Sequence, residues 1–265
     1  NFLTNPALLD HLVELSSVEP GETVLEVGCG RGDLTAALLR RGAKVHGIEI
    51  DDDLIPFLKT RFPNEIAANQ LVLHHIDARE VDWRTFDATR LLSNVPYYVT
   101  RYLLRQAFAQ LATCRSMGFT LQREAAERLL AAAPDEPQFL PKLYGPLAIL
   151  RSFYGKASIT HRFKRGDFKP APGVDSVFVV IERNEQDAFY TEHAKACAEI
   201  IEASFEQRRK TLANNWRNRW SWNAGELRGF LVEKNLVGKR AEEIRPQEWL
   251  AICKAIYERF QTEFM

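Results

Sequence analysis

One segment limits what this chain can fold into more than any other: Gly28-Cys29-Gly30-Arg31-Gly32, placed between a short apolar run and a helical pattern. The preceding Thr23 to Val27 reads as a buried strand, and Leu34 to Arg40 reads as a helix. A strand that runs through glycines into a helix makes a tight turn whose backbone can approach a ligand. The G-x-G-x-G spacing differs from the G-x-G-x-x-G of dinucleotide sites. The same alternation continues. Strands are expected at Ala43 to Ile50, Leu71 to Ile76, Arg90 to Ser93, Gly118 to Leu121 and Ser176 to Glu182. Helices are expected at Thr4 to Leu15, capped by Asn5 or Thr4, at Leu54 to Phe62, from Tyr102 through Leu111, and at Arg123 to Ala133. This order predicts an α/β fold with a mostly parallel sheet. After Arg183 the pattern changes to helices over 189–212, 224–235 and 246–264. A domain boundary is therefore expected near 183, giving units 1–183 and 184–265, the second all-helical.

Composition narrows the class of protein. The 265 residues are 46% hydrophobic and 26% charged, which fits a globular enzyme and excludes disorder. No apolar run is long enough to span a bilayer, and no signal-peptide pattern opens the chain, so a cytoplasmic protein without membrane contact is expected. The chain opens at Asn1 inside a motif discussed below, which leaves room for upstream residues and any targeting segment they carry. Cys29, Cys114, Cys197 and Cys253 are far apart and lack metal-ligand spacing, so reduced thiols and no metal are expected. Net charge is zero, with 35 basic and 35 acidic residues, but the basic ones cluster. Residues 151–173 carry six against one acid, and residues 207–219 carry five against none. Such stretches can engage phosphates or simply face solvent.

Two acids sharpen the reading of the glycine turn. Glu49 closes the second expected strand and can hold ribose hydroxyls; Asp77 closes the third and can accept from an adenine amino group. With Gly28 and Gly30 at the first strand end, the array resembles the class I S-adenosylmethionine methyltransferases. That resemblance implies a Rossmann-like fold and assigns Gly28, Gly30, Glu49 and Asp77 to the cofactor S-adenosyl-L-methionine. Cys29 stands where relatives often have proline.

Asn94-Val95-Pro96-Tyr97 follows the fourth strand. Adenine N6 is a poor nucleophile because its lone pair is delocalised into the ring. The Asn94 side-chain oxygen and the Val95 carbonyl can accept its protons and localise that pair. Pro96 stiffens the turn, and Tyr97 can stack on a flipped-out base. The segment resembles the Asn-Leu/Ile-Pro-Tyr form of RNA adenine dimethyltransferases, whereas a second proline marks DNA adenine and protein glutamine methyltransferases.

Further motifs resemble the ribosomal RNA adenine dimethyltransferases over nearly the whole chain. Asn1-Phe2-Leu3 is similar to the family's opening, in which the Asn and Leu line the cofactor pocket; Asn94 also counts among the cofactor contacts. Gln122 to Arg128 resembles its Gln-Lys-Glu-Val-Ala-Glu-Arg helix start. Phe168 to Ser176 fits F-x-P-x-P-x-V-x-S, where the Phe borders the target base, so Phe168 and Tyr97 are expected to sandwich an adenine. Ala203 to Leu212 resembles the small-subunit (KsgA-type) branch more than the Erm type, which methylates large-subunit rRNA and confers macrolide resistance. Arg208, Arg209 and Lys210, with Arg162, Lys164 and Arg165, are then expected to bind RNA. The resemblance implies dimethylation of adenines in small-subunit rRNA, by a monomer acting on a pre-assembled subunit, with the helical tail docking RNA. Competing expectations are an Erm-type enzyme, a non-catalytic assembly or transcription factor, and a DNA or protein methyltransferase. Tyr98-Val99-Thr100, the long loop Pro134 to Lys142 and the aromatic stretch Trp216 to Trp222 depart from the family pattern.

Overall fold

The computed structural model describes residues 2–94, 97–185, 187–220 and 222–260, with the side chains of Phe2, Tyr97 and Tyr98 left undescribed. Asn1, Val95 and Pro96, three expected site residues, lie outside this range.

The elements run in chain order. Strand β1 (Phe2–Leu3) leads to α1 (Pro6–Leu15), β2 (Thr23–Val27), α2 (Asp33–Arg40), β3 (Lys44–Glu49), α3 (Leu54–Arg61), α4 (Pro63–Ala67) and β4 (Leu71–His75). Next come β5 (Arg90–Ser93), α5 (Tyr97–Gln110), β6 (Ser116–Gln122), α6 (Arg123–Leu129), α7 (Pro146–Tyr154), β7 (Gly155–Arg162), β8 (Phe168–Lys169) and β9 (Ser176–Arg183). Helices α8 (Ala188–Ser204), α9 (Leu212–Arg219), α10 (Ala224–Glu233) and α11 (Pro246–Arg259) follow.

Seven strands form one sheet in the order β4-β3-β2-β5-β6-β9-β7. Strand β2 pairs in parallel with β3 and β5, β3 with β4, and β5 with β6, whereas β9 runs antiparallel to β6. From β2 the chain winds outward through β3 and β4, then returns to the other side at β5. That reversal opens a crevice at the carboxyl ends of β2 and β5, where open α/β sheets bind ligands.

The expected helix start at Asn5 is present, its side chain accepting from the N–H groups of Ala7 (3.1 Å) and Leu8 (3.4 Å). Leu9, Leu12 and Val13 of α1 enter a core shared with Val24 of β2, Val45 of β3, Leu38 of α2 and Phe178 of β9. Gly118, mid-strand in β6, sits where a Cβ would lie 2.7 Å from the Phe178 ring and 2.8 Å from Ser16 Oγ.

Contacts divide the chain into one unit of 1–126 with 156–184 and a second of 127–155 with 185–265. The helical unit thus takes in α7 and the long loop before it, upstream of the boundary expected near 183. The reason is packing: α7 lies against α8 and α11. Within this unit the expected helix 189–212 stops at Ser204. The Ser204 carbonyl accepts from Asn215 Nδ2 (2.6 Å) and its hydroxyl accepts from Trp216 Nε1 (2.7 Å), which fixes a turn over 205–211. Trp216, Trp220 and Trp222 are core residues. Trp220 stacks on Trp222 with centroids 4.7 Å apart, and Trp222 on Phe260 at 4.1 Å.

Gly118→Ala should cost about 1–3 kcal/mol, because the added methyl overpacks a fixed strand crossing. Urea unfolding followed by circular dichroism measures this; an unchanged midpoint would mean that Phe178 yields without cost.

Candidate active site

The glycine turn is shaped by backbone conformations that favour glycine. Gly28, Gly30 and Gly32 have φ of 78°, 56° and 81°. At Gly32 a Cβ would also lie 2.6 Å from the Phe62 ring and 2.7 Å from Leu58, so α3 packs directly on the turn. Arg61, at the end of α3, donates to Asp33 Oδ1 (2.9 Å) and to the Arg31 carbonyl. Cys29 points inward, with its Sγ 2.5 Å from the place a Cβ on Gly47 would take. Burial first, then the carboxyls of Glu26 and Glu49, push this thiol well above its ordinary range.

Glu49 stands at the end of β3, as expected. Its Oε2 accepts from Gly30 N (2.7 Å), and its Oε1 from Ile50 N (2.8 Å) and Asp51 N (3.0 Å). Oε1 is filled by two donors, whereas Oε2 keeps a lone pair free for a ligand hydroxyl. Asp77, two residues past β4, is paired with Arg79, whose side-chain hydrogen bonds hold the carboxyl below its usual range. Asn94 follows β5 directly and is half-buried. Ser93 Oγ donates to the Val27 carbonyl (2.8 Å), which pins the start of the Asn94 segment to the strand end that opens the glycine turn. The structure therefore brings Gly28, Gly30, Glu49 and Asn94 to one rim of the sheet, and Asp77 to the strand end beyond Glu49. The positive-φ cradle, the open acceptor on Glu49 and the carboxylate of Asp77 form a donor and acceptor set that fits S-adenosylmethionine.

Glu26 is a site-side residue the sequence reading passed over, although a carboxyl inside a buried strand was a visible signal. It is fully buried, its Oε2 accepts from Thr35 Oγ1 (2.7 Å), and its Oε1 has no partner among the described residues. Burial, with the charges of Glu49 and Asp33 adding to it, pushes its pKa up to about 8, so the proton stays on at neutral pH.

The other expected residues lie in varied surroundings. Leu3 is buried and pairs with Phe168 across the antiparallel β1–β8 ribbon. Phe168 is 3% exposed, edge-on to Phe163 at 5.0 Å. Its side chain belongs to the core cluster that also holds Leu3, Phe178 and Val180. Arg208 is committed internally: its Nη2 donates to the carbonyls of Pro141 (2.6 Å) and Tyr144 (2.8 Å) and pairs with Glu242 at 3.3 Å. Its role is to fasten the loop before α7 to the 205–211 turn. Arg209, Lys210, Arg162, Lys164 and Arg165 are exposed. Tyr97 opens α5, but its side chain is outside the described atoms. No helix among the described residues is long and apolar enough to cross a membrane.

Comparison with known proteins places this geometry. Residues 1–257 match the model of a family described as ribosomal RNA adenine dimethylase. Ribosomal RNA small subunit methyltransferase A of Clostridium botulinum is 32% identical over 263 residues, covering 97% of this chain and 92% of the relative. The protein of the same name in Methylococcus capsulatus is 32% identical over 269 residues, covering 97% and 95%. Among solved structures, a dimethyladenosine transferase from Plasmodium falciparum aligns with a TM-score of 0.73 at 23% identity, over 98% of both chains. The 23S rRNA methyltransferase ErmE aligns at 0.61 and 19%, over 96% of this chain and 98% of that one. These two likenesses establish the fold.

Two predictions follow from the local chemistry. A carboxyl whose folded pKa lies above its unfolded value of 4.5 stabilises most at low pH and loses that contribution as pH rises to about 8. Stability of the native protein relative to Glu26→Gln should therefore fall by up to about 1.4 kcal/mol per pH unit over that window. Denaturant titrations at pH 5 to 8 read the slope; parallel curves would mean that Glu26 is ionised throughout. Arg208→Ala should lose about 1–2 kcal/mol, its carbonyl partners being left without a donor. Arg209→Ala and Lys210→Ala should stay within about 0.5 kcal/mol of the native protein; equal losses in all three would reject the distinction.

Proposed function

Because the chain belongs to the ribosomal RNA adenine dimethylase family, we propose that it transfers methyl groups from S-adenosylmethionine to adenine N6 in small-subunit rRNA, two per adenine, during ribosome biogenesis. The observation that carries the reading is the adjacency of Asn94 to the glycine turn, fixed by the Ser93–Val27 hydrogen bond. The small-subunit branch is favoured by curated relatives named small subunit methyltransferase A at 32% identity.

In this reading Gly28 and Gly30 bring backbone against the methionine part of the cofactor, Glu49 holds the ribose through Oε2, and Asp77 accepts from the adenine amino group. Leu3 backs the pocket as part of the ribbon that also fixes Phe168. Bound S-adenosylmethionine supplies an electrophilic methyl group on a cationic sulfur. Asn94 and the Val95 carbonyl accept the two N6 protons of the target base, which concentrates the nitrogen lone pair and points it along the line of displacement. Positive charge passes to the nitrogen as the methyl bond forms, and a proton then leaves to solvent, so no strong general base is required. Tyr97 stacks on the base, and Phe168 supports the pocket by packing. Arg162, Lys164, Arg165, Arg209 and Lys210 meet rRNA phosphates, with the helical unit serving as the docking element. A zero net charge agrees with a target recognised by shape within a pre-assembled subunit. Action as a monomer in the cytoplasm belongs to the same proposal.

The test is transfer from labelled S-adenosylmethionine to immature small subunits, large subunits, free rRNA and DNA, followed by nucleoside analysis. N6,N6-dimethyladenosine in small subunits alone is expected, and label in large subunits alone would move the protein to the resistance enzymes. Asn94→Ala should cut the rate by on the order of 100-fold or more, as loss of a group that acts on the reacting centre does, while cofactor affinity stays nearly unchanged. Full activity in this variant would remove Asn94 from the chemistry.

A further inference from the structure

We propose that Arg79 occupies the adenine-recognition point of the cofactor site, so that cofactor binding requires its displacement from Asp77 and Arg79 sets cofactor affinity and purine selectivity. This rests on the reading of Asp77 as the acceptor for the adenine amino group.

The pairing is extensive for a surface contact. The backbone N of Arg79 donates to Asp77 Oδ1 (2.9 Å), Nε lies 3.0 Å from Oδ1 and 2.8 Å from Oδ2, and Nη2 also donates to Oδ2. Such a fork consumes the outward lone pairs of both oxygens, the ones a ligand amino group would need. Accessibility fits a cover over an acceptor: the Asp77 side chain is 15% exposed, whereas the Arg79 side chain is 64% exposed. The backbone of Arg79 is tethered by Tyr102, whose hydroxyl donates to its carbonyl at 3.5 Å. The guanidinium can therefore leave Asp77 by side-chain rotation alone, while the backbone donor from residue 79 stays in place.

The chain contains its own reference for this arrangement. Asp82 and Arg84 repeat the same two-residue spacing and the same forked contact, with Nε at 2.9 Å and 3.1 Å from the two oxygens. Asp82 caps the short 3-10 turn Trp83–Phe86 and ends no strand of the sheet. The same pair thus has two settings, one at a strand end in the cofactor rim and one holding a turn.

Exposed ion pairs are weak, so the competition is modest. Calorimetric dissociation constants would be measured for S-adenosylhomocysteine and for its analogue carrying hydrogen in place of the 6-amino group. Arg79→Ala should bind S-adenosylhomocysteine about two- to fivefold more tightly than the native protein. That advantage should shrink as salt screens the native pair. The 6-hydrogen analogue, which has no group to displace Arg79, should show no gain, and Arg84→Ala should match the native protein with both ligands. Asp77→Asn should weaken binding of S-adenosylhomocysteine. Unchanged or weaker binding by Arg79→Ala, with Asp77→Asn still impaired, overturns the competition alone. Unchanged binding by Asp77→Asn overturns the assignment of Asp77, and the role of Arg79 with it.

Discussion

Three backbone N–H groups, from Gly30, Ile50 and Asp51, converge on the carboxylate of Glu49. Hydrogen bonds to a charged acceptor are about twice as strong as neutral ones. The bond from Gly30 joins the turn after β2 to the end of β3, and those from Ile50 and Asp51 fix the carboxylate in place. The Gly28 N–H donates to the Ile48 carbonyl (2.8 Å) and continues the same seam. Ser93 extends it to β5 through the Val27 carbonyl. Three strand ends are thus locked together by polar contacts before any ligand enters. The N–H groups of Gly28 and Gly30 are satisfied by β3, and that of Gly32 by the Cys29 carbonyl within the turn (2.8 Å).

Below that seam lies the opposite kind of acid. Glu26 is removed from water and keeps its proton, while Glu49, two strand positions away across the pair, accepts three backbone hydrogen bonds. Thr35 supplies Glu26 with one hydroxyl, whereas Glu49 receives three backbone donors. Cys29 fills the space left by Gly47, so a thiol in place of a ring is accommodated by a missing side chain on the adjacent strand.

Much of this was legible in the sequence wherever structure is decided within a short window. Strands β2 to β5 coincide with apolar runs, the Asn5 cap starts α1, and the glycine turn, Glu49 and Asn94 fall at strand ends as read. Long-range partners set the rest. The break at Ser204 depends on Asn215 and Trp216, eleven and twelve residues on. Strand β7 escaped notice because basic and polar residues interrupt its apolar pattern. The charge run 208–210 concealed two different environments. Arg208 finds carbonyls from a loop more than sixty residues earlier, while its neighbours remain in solvent. Phe168 was read as one side of a base sandwich with Tyr97, and its pairing with Leu3 was not foreseen, because both strands of that ribbon are two residues long and too short to show a period.

The interleaving of the two contact units has a consequence for synthesis on the ribosome. Residues 127–155 emerge before 156–184, yet they belong to the unit finished last. The sheet can gain β9 and its edge strand β7 once residue 184 has cleared the exit tunnel. Helix α7 must then wait, its apolar face uncovered, for α8 and α11 to follow. At about 5–20 residues per second, that interval lasts several seconds. During it the nascent chain carries an exposed helix face between two finished strands of the sheet. Each new copy of the protein therefore passes through a stage at which residues 146–154 lack the C-terminal helices that cover them in the finished chain.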